Sequence, residues 1–295
     1  GLGVEERLFP KVVESPTVTG QITESVASET GLYAGIPVCA GGGDMACMAV
    51  GSGVRRPGIV SVGIGTAGHV LTYAEEVDGA AFNQLWPMCH AIPGKYFWLG
   101  CSFTGGASLT WLHDQFGDSF TELIETAQNA PVGSDGLFFM PWFQGTATPC
   151  PDANARAGWV GMTLHHTKAH MIRALMEGVV FDLRHSLECF KRLNLPISEI
   201  YIGEGGSRSE LWRQMQADIF GQQLRILEVE DASALGAAII AGVGVGVFDD
   251  FESACDLTVA LGQTICSNTE LIEKYERYYQ RYCGLYPSLK NWFST

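Results

Sequence analysis

Over residues 167–193 the apolar positions Ile172, Leu175, Met176, Val179, Leu183, Leu187 and Phe190 recur at helical spacing, which predicts one long helix with a buried face. The segments after this helix narrow the fold further. Glu199-Ile-Tyr-Ile202 predicts a strand, Gly203-Glu-Gly-Gly-Ser207 a glycine turn, and the next segment a helix ending at Gly221. A strand over Leu224–Leu227 and a small-residue helix over 234–241, which must pack closely, complete the series. Strand, glycine turn, helix, strand and helix in this order are α/β architecture.

The upstream half reads in the same terms. The short apolar run 37–40 predicts a strand entering Gly41-Gly-Gly-Asp44, with a helix starting at Met45. Residues 58–62 and 69–73 predict a hairpin joined by Gly63-Ile-Gly-Thr-Ala-Gly68. Helices are expected over 106–114 and 119–129. With 295 residues, 46% of them hydrophobic, the chain can bury one large core or two small ones. No run approaches the roughly 18 apolar residues of a membrane helix, and no basic-then-apolar leader is present. Gly1 stands where an initiator Met would, so processing or a missing upstream segment is expected.

A formal charge of −14 argues against nucleic acid or an anionic membrane surface as partner. Nine cysteines lie scattered without C-x-x-C spacing. Cys39, Cys47, Cys101 and Cys189 sit in apolar surroundings and are expected to be reduced core residues, which fits a cytoplasm.

Three glycine clusters could do chemistry. In Gly41-Gly-Gly-Asp44 the glycines let the backbone approach a ligand, and the acid falls near a helix N-terminus, suited to a base or a metal partner. An Asp N-cap after a turn explains the same pattern. Gly63-Ile-Gly-Thr-Ala-Gly68 is either a phosphate cradle, with turn amides and the Thr66 hydroxyl as donors, or an ordinary hairpin turn. It lacks the Lys-Ser/Thr ending of a P-loop. Gly203-Glu-Gly-Gly-Ser207 lies where open sheets bind ligands, yet also reads as a tight turn capped by Ser207 or Ser209. His165, His166 and His170 lack both the Glu of H-E-x-x-H and a nearby Cys pair, so no metal is expected there. Cys150, between two prolines, has no evident base partner and is not read as a nucleophile.

The order of these motifs is more specific than any one of them. Gly42-Gly-Asp44, Gly65-Thr66, Gly105-Gly-Ala-Ser108 ahead of Trp111-Leu-His-Asp114, and Gly205-Gly206 resemble the FGGY carbohydrate kinases. So do Pro141-Trp-Phe-Gln-Gly145, Asp152-Ala-Asn-Ala-Arg156, the segment 161–170, Leu211-Trp-Arg-Gln214 and Ser233-Ala-Leu-Gly-Ala-Ala238. The likeness runs from about Val12 to the aromatic tail at Tyr278, Tyr282 and Tyr286, and is closest to the xylulokinase branch.

The resemblance implies an actin-like ATPase (ribonuclease H-like) lobe, the C-terminal half of a two-lobed sugar kinase. Residues 1–52 would be the end of the N-terminal lobe, and 53–295 the C-terminal lobe with the ATP site. Asp44 matches the residue that takes the proton from the attacking sugar hydroxyl, and Met45 lies beside it at the sugar. Gly65 and Thr66 match the second phosphate loop, and Gly106 would lie against the nucleotide. Gly205 and Gly206 would flank the adenine, with Ser209 or Glu210 nearest the base. ATP and Mg²⁺ are the implied cofactors, a small sugar the partner, and the apolar aromatic tail serves a homodimer interface or a core equally well.

Two departures bear on the sugar. Xylulokinases usually carry Glu-Arg-Thr-Pro-His where this chain has Thr146-Ala-Thr-Pro-Cys150, and a Gln or Asn where it has Met45, a poor partner for a hydroxyl. The isolated chain, lacking the first phosphate loop, is expected to be inactive. The competing expectation is a catalytically impaired relative that binds a nucleotide or metabolite; a chaperone or filament ATPase lacks the Gly-Gly-Asp to Gly-Thr order.

Overall fold

The structure is a computed structural model that describes residues 5–77, 79 and 82–294. Its first elements are β1 (Val18–Gln21), α1 (Glu24–Thr30), β2 (Pro37–Cys39) and α2 (Asp44–Gly51). The expected hairpin follows as β3 (Gly58–Ile64) and β4 (Gly68–Ala74), antiparallel in register from Val60 opposite Thr72 to Ile64 opposite Gly68. Gly63, Ile64 and Gly68 therefore belong to the strands, and the turn shrinks to Gly65-Thr66-Ala67. Next come β5 (Trp86–Cys89), β6 (Tyr96–Ser102), α3 (Ala107–Phe116), α4 (Phe120–Gln128), β7 (Phe138–Met140) and β8 (Gly158–Val160). The long helix α5 (Lys168–Arg192), β9 (Ile197–Gly203), α6 (Glu210–Phe220), β10 (Leu224–Leu227) and α7 (Ala232–Gly244) fall where periodicity puts them. The chain closes with α8 (Phe251–Thr258), β11 (Leu261–Ile265), α9 (Thr269–Cys283) and α10 (Leu285–Phe293).

Seven strands form one sheet in the order β11-β10-β9-β3-β4-β6-β5. β9 pairs in parallel with both β3 and β10, and the other pairs are antiparallel. Successive strand residues face opposite sides, so the two faces separate cleanly. Val60, Val62, Ile64, Val70, Trp98, Ile200 and Ile202 pack with α3, α4, α5, α6 and α9. Ile59, Leu71, Tyr73, Phe97, Leu99 and Tyr201 face the other way, against Ala49 and the half-buried Met45 and Met48 of α2. A third cluster joins α2 to α7 and α8 through Val50, Ile239, Ile240 and Phe251. β3 is buried over its whole length because helices cover both of its faces.

α5 is the centre of the larger layer. Its apolar face, Ile172, Leu175, Met176, Val179, Leu183, Leu187 and Phe190, is at most 2% exposed, and burial of each such side chain contributes about 1.5–3 kcal/mol. Of the C-terminal tyrosines, Tyr275, Tyr279 and Tyr282 are buried against Phe181 of α5, while Tyr278 and Tyr286 are half-buried. All nine cysteines are free, with Cys47 and Cys189 buried and Cys39 and Cys101 half-buried. Among the described residues no helix is long and apolar enough to cross a membrane.

α5 also buries acids. Asp182 accepts from Trp142 Nε1 at 3.0 Å and from the Tyr282 hydroxyl at 3.4 Å. Burial outweighs these bonds and raises its carboxyl to about 6 from 3.8. The folded state thus holds this proton to higher pH than the unfolded state. The resulting stability is complete below about pH 4 and lost as pH rises through about 6, a change of about 3 kcal/mol. Asp182→Asn removes the titration while keeping an acceptor for Trp142. Urea unfolding of variant and parent at pH 4 and pH 7 is expected to show the variant gaining about 3 kcal/mol relative to the parent over that interval. The buried His69, His90 and His185, each lowered to about 4 mainly by burial, titrate in both proteins and cancel. A pH-independent difference would place the proton elsewhere.

Candidate active site

Four separate segments meet around one cavity of about 580 Å³. The end of β3 and the turn after it supply Ile64, Gly65 and Thr66; the start of α3 supplies Gly106, Ala107, Leu109 and Thr110. Phe120 and Ile124 of α4 form an apolar wall, and Gly205, Arg208, Ser209 and Trp212 close the opposite side. The size and the mixture of apolar walls with a few polar groups suit a small-molecule ligand.

The local geometry depends on glycine. Gly106 N donates to Gly65 O at 2.7 Å, and Gly105 N and Ala107 N donate to Thr66 O at 2.9 and 3.2 Å. These bonds press the α3 start onto the hairpin turn so closely that a Cβ on Gly106 would lie 2.7 Å from Gly65 O. With the Gly65 and Thr66 carbonyls bonded to the α3 start, the turn keeps Thr66 exposed at the cavity. Gly206 is required for packing: its Cβ would meet the Ile64 side chain at 2.5 Å. Gly205 has looser surroundings, with only Ile64 O within reach at 3.3 Å.

Of the six residues expected at a nucleotide, Gly65, Thr66, Gly106, Gly205 and Ser209 line this cavity, while Gly206 is buried against Ile64 and does not line it. Ser209 is also the N-cap of α6, accepting from Trp212 N at 3.3 Å. Ser207 instead donates to Glu204 O at 2.8 Å, and Glu210 lines a separate surface pocket. Sequence reading missed Thr110, Phe120, Ile124, Arg208 and Trp212. Arg208 adjoins a motif already singled out; Phe120 and Ile124 share one face of an amphipathic helix and look like core.

Asp44 is the first residue of α2, with Gly43 in the N-cap position making no side-chain cap. Its exposed carboxylate accepts from Met45 N at 2.8 Å. α2 is fixed by an unusually close crossing with α7. A Cβ on Gly51 would lie 1.8 Å from Ala232 O, and one on Gly236 1.8 Å from Cys47 O. Ser233 Oγ donates to Asp44 O at 3.3 Å, tying the two helix starts together. Met45 turns its side chain into the cluster of Ile59, Leu71 and Phe97.

A second, smaller cavity of about 190 Å³ lies between α2, the α7 start and the sheet, lined among others by Met48, Ser61, His69, Glu204 and Asp231. Asp44 and Met45 line neither cavity. Glu204 holds φ 62° and ψ −157°, a region that favours glycine, and costs of this kind run to about 1–3 kcal/mol. Its carboxylate covers Gly63 and Gly65, where a Cβ would come within 2.7 Å of Oε2. Burial raises the Glu204 carboxyl.

The fold is that of an actin-like ATPase lobe. Superposed on the crystal structure of xylulose kinase from Rhodospirillum rubrum, it gives a TM-score of 0.86 at 29% identity, covering 97% of this chain and 58% of that one. The sequence pattern described as "FGGY family of carbohydrate kinases, C-terminal domain" matches residues 64–245, and that of the family's N-terminal domain matches residues 1–51. The chain belongs to the FGGY family of carbohydrate kinases. It is 35% identical over 285 residues to xylulose kinase of Staphylococcus epidermidis and 31% identical over 292 residues to that of Bacillus subtilis. These matches cover 96% and 98% of this chain and 58% of each relative, so the chain spans rather more than half the length of the curated relatives it matches.

Proposed function

We infer that the chain contributes the nucleotide site and the catalytic base to ATP-dependent phosphorylation of a sugar hydroxyl, the acceptor being a ketose such as xylulose or a related polyol or aldonate. The carrying observation is the convergence of Gly65, Thr66, Gly106, Gly205 and Ser209, from separate segments, on one cavity. Its apolar wall of Leu109, Phe120 and Ile124 suits a base, and its glycine-lined turn suits phosphate. These residues fit ATP. Bound Mg²⁺ would neutralise phosphate charge in such a reaction.

Asp44 takes the proton from the sugar hydroxyl as its oxygen attacks the terminal phosphorus. Its place at an exposed helix start, with Oδ1 accepting from Met45 N, leaves Oδ2 to face an acceptor. The division at residue 52 assigns Asp44 to the end of one lobe and the cavity to the next, with α2 against α7 as the joint. On this reading the isolated chain binds ATP but does not turn it over.

Gly205→Val tests the site, because Gly205 lines the cavity and a Cβ there would meet only Ile64 O, at 3.3 Å. ATP titration by calorimetry is expected to lose at least about tenfold in affinity, with thermal stability close to the parent. Undiminished ATP binding by the variant would remove the nucleotide from this cavity. The acceptor is identified by ADP release against ketoses, polyols and aldonates, using a polypeptide that carries both lobes. ATP binding without turnover on any acceptor would favour a metabolite-binding relative.

A further inference from the structure

We propose that Asp135, His165 and His170 form a binding site for a divalent transition metal of the zinc class, away from the nucleotide cavity. The spacing of the histidines alone predicts no such site. The missing member is Asp135, which the fold brings up from the turn between α4 and β7. The carboxylate and the two imidazoles place one ligand atom each within 4.8 Å of one another.

The distances fit a small ion. His170 Nε2 and His165 Nε2 lie 3.3 and 3.4 Å from Asp135 Oδ2. A tetrahedral ion with ligand bonds of about 2.0–2.1 Å has its ligands about 3.3 Å apart. Two imidazoles with one carboxylate favour zinc, cobalt or nickel over magnesium and calcium, which take oxygen ligands.

Each ligand is held before any ion arrives. Asp135 sits at φ 51° beside Ser134 at φ 46°, a left-handed pair that non-glycine residues adopt at a cost. Buried Glu177 secures that turn from below, accepting from Gly133 N at 2.9 Å and Ser134 Oγ at 3.3 Å. The second ring nitrogens are held too: Thr163 Oγ1 lies 3.0 Å from His165 Nδ1, and Thr167 Oγ1 lies 3.0 Å from His170 Nδ1. Such outer partners orient ligating histidines. His166 stacks on His165 with centroids 4.4 Å apart, which steadies an otherwise exposed ring.

Coordination requires the His170 proton to reside on Nδ1, donated to Thr167 Oγ1, so that the Nε2 lone pair faces the ion. Thr167 N then gives up its 3.2 Å bond to that Nδ1. The ion replaces it by cross-linking the Asp135 turn to the first turn of α5.

Co²⁺ titrated into the metal-free chain near neutral pH, under reducing conditions, reads the site by visible absorption. One equivalent per chain is expected, with bands of a low-coordinate nitrogen–oxygen site and no thiolate charge-transfer band, and Zn²⁺ should displace it. His165→Ala is the clean variant because that side chain is 60% exposed. It and Asp135→Asn should each weaken binding at least about tenfold, and Thr163→Val by about tenfold. Absence of a saturable equivalent, a thiolate band, or undiminished affinity in His165→Ala would overturn the assignment.

Discussion

Asp44→Asn, in a polypeptide that carries both lobes, is expected to lower kcat for phosphoryl transfer by about 10²–10⁴-fold, the usual contribution of a positioned base. Asparagine preserves the shape and can still accept from Met45 N, but it cannot take a proton. ATP affinity should stay near the parent value, since Asp44 does not line the cavity of Gly65, Gly106 and Gly205. Loss of the negative charge at the start of α2 costs only about 0.3–1 kcal/mol of helix stability, too little to unfold the chain. Steady-state kinetics beside ATP titration therefore separates chemistry from binding. A kcat within tenfold of the parent would reduce Asp44 to a helix-terminal charge, and with it the assignment of the base.

The elements legible in the sequence obey local rules. The hairpin, the long helix and the glycine turn after β9 are each set by alternation, helical periodicity or glycine placement within a dozen or so residues. The Gly-Gly-Asp turn is readable for the same reason. Contacts between distant segments were not. Gly51 and Gly236 look like ordinary small residues in helices, yet each stands where a Cβ would reach 1.8 Å from the other helix's backbone. Their meeting sets the position of Asp44 and needs three dimensions to see. β6 escaped because the aromatic run Tyr96-Phe-Trp-Leu-Gly-Cys-Ser102 is buried on both faces over most of its length and carries little alternation. Asp135 and His165 are likewise joined only by the fold. The sheet order, with β3 between β9 and β4, is a long-range property that no local pattern encodes.

The polar residues inside α5 are a different case, since an acid on an apolar helix face violates the pattern and so marks a network. Arg173 Nε donates to Glu177 Oε1 at 2.9 Å, and Arg173 Nη1 to Ala130 O at 3.2 Å. The Tyr275 hydroxyl donates to Glu177 Oε1 at 2.9 Å and accepts from Arg173 Nη2 at 3.3 Å. Glu177 is 2% exposed and Arg173 7%. Glu177→Ala leaves the guanidinium buried without its countercharge and frees Gly133 N and Ser134 Oγ. A loss of about 3–5 kcal/mol is expected, a large part of the 5–15 kcal/mol that holds a typical domain folded. The origin of that loss decides the next measurement. If it lies in the stranded charge, removing Arg173 as well relieves it, and Arg173→Ala/Glu177→Ala should be at least as stable as Glu177→Ala in urea. Losses that simply add would instead show the two residues acting independently. Glu177 also holds the turn that presents Asp135. Glu177→Gln, which keeps an acceptor for Gly133, should therefore bind Co²⁺ more tightly than Glu177→Ala at temperatures where both are folded.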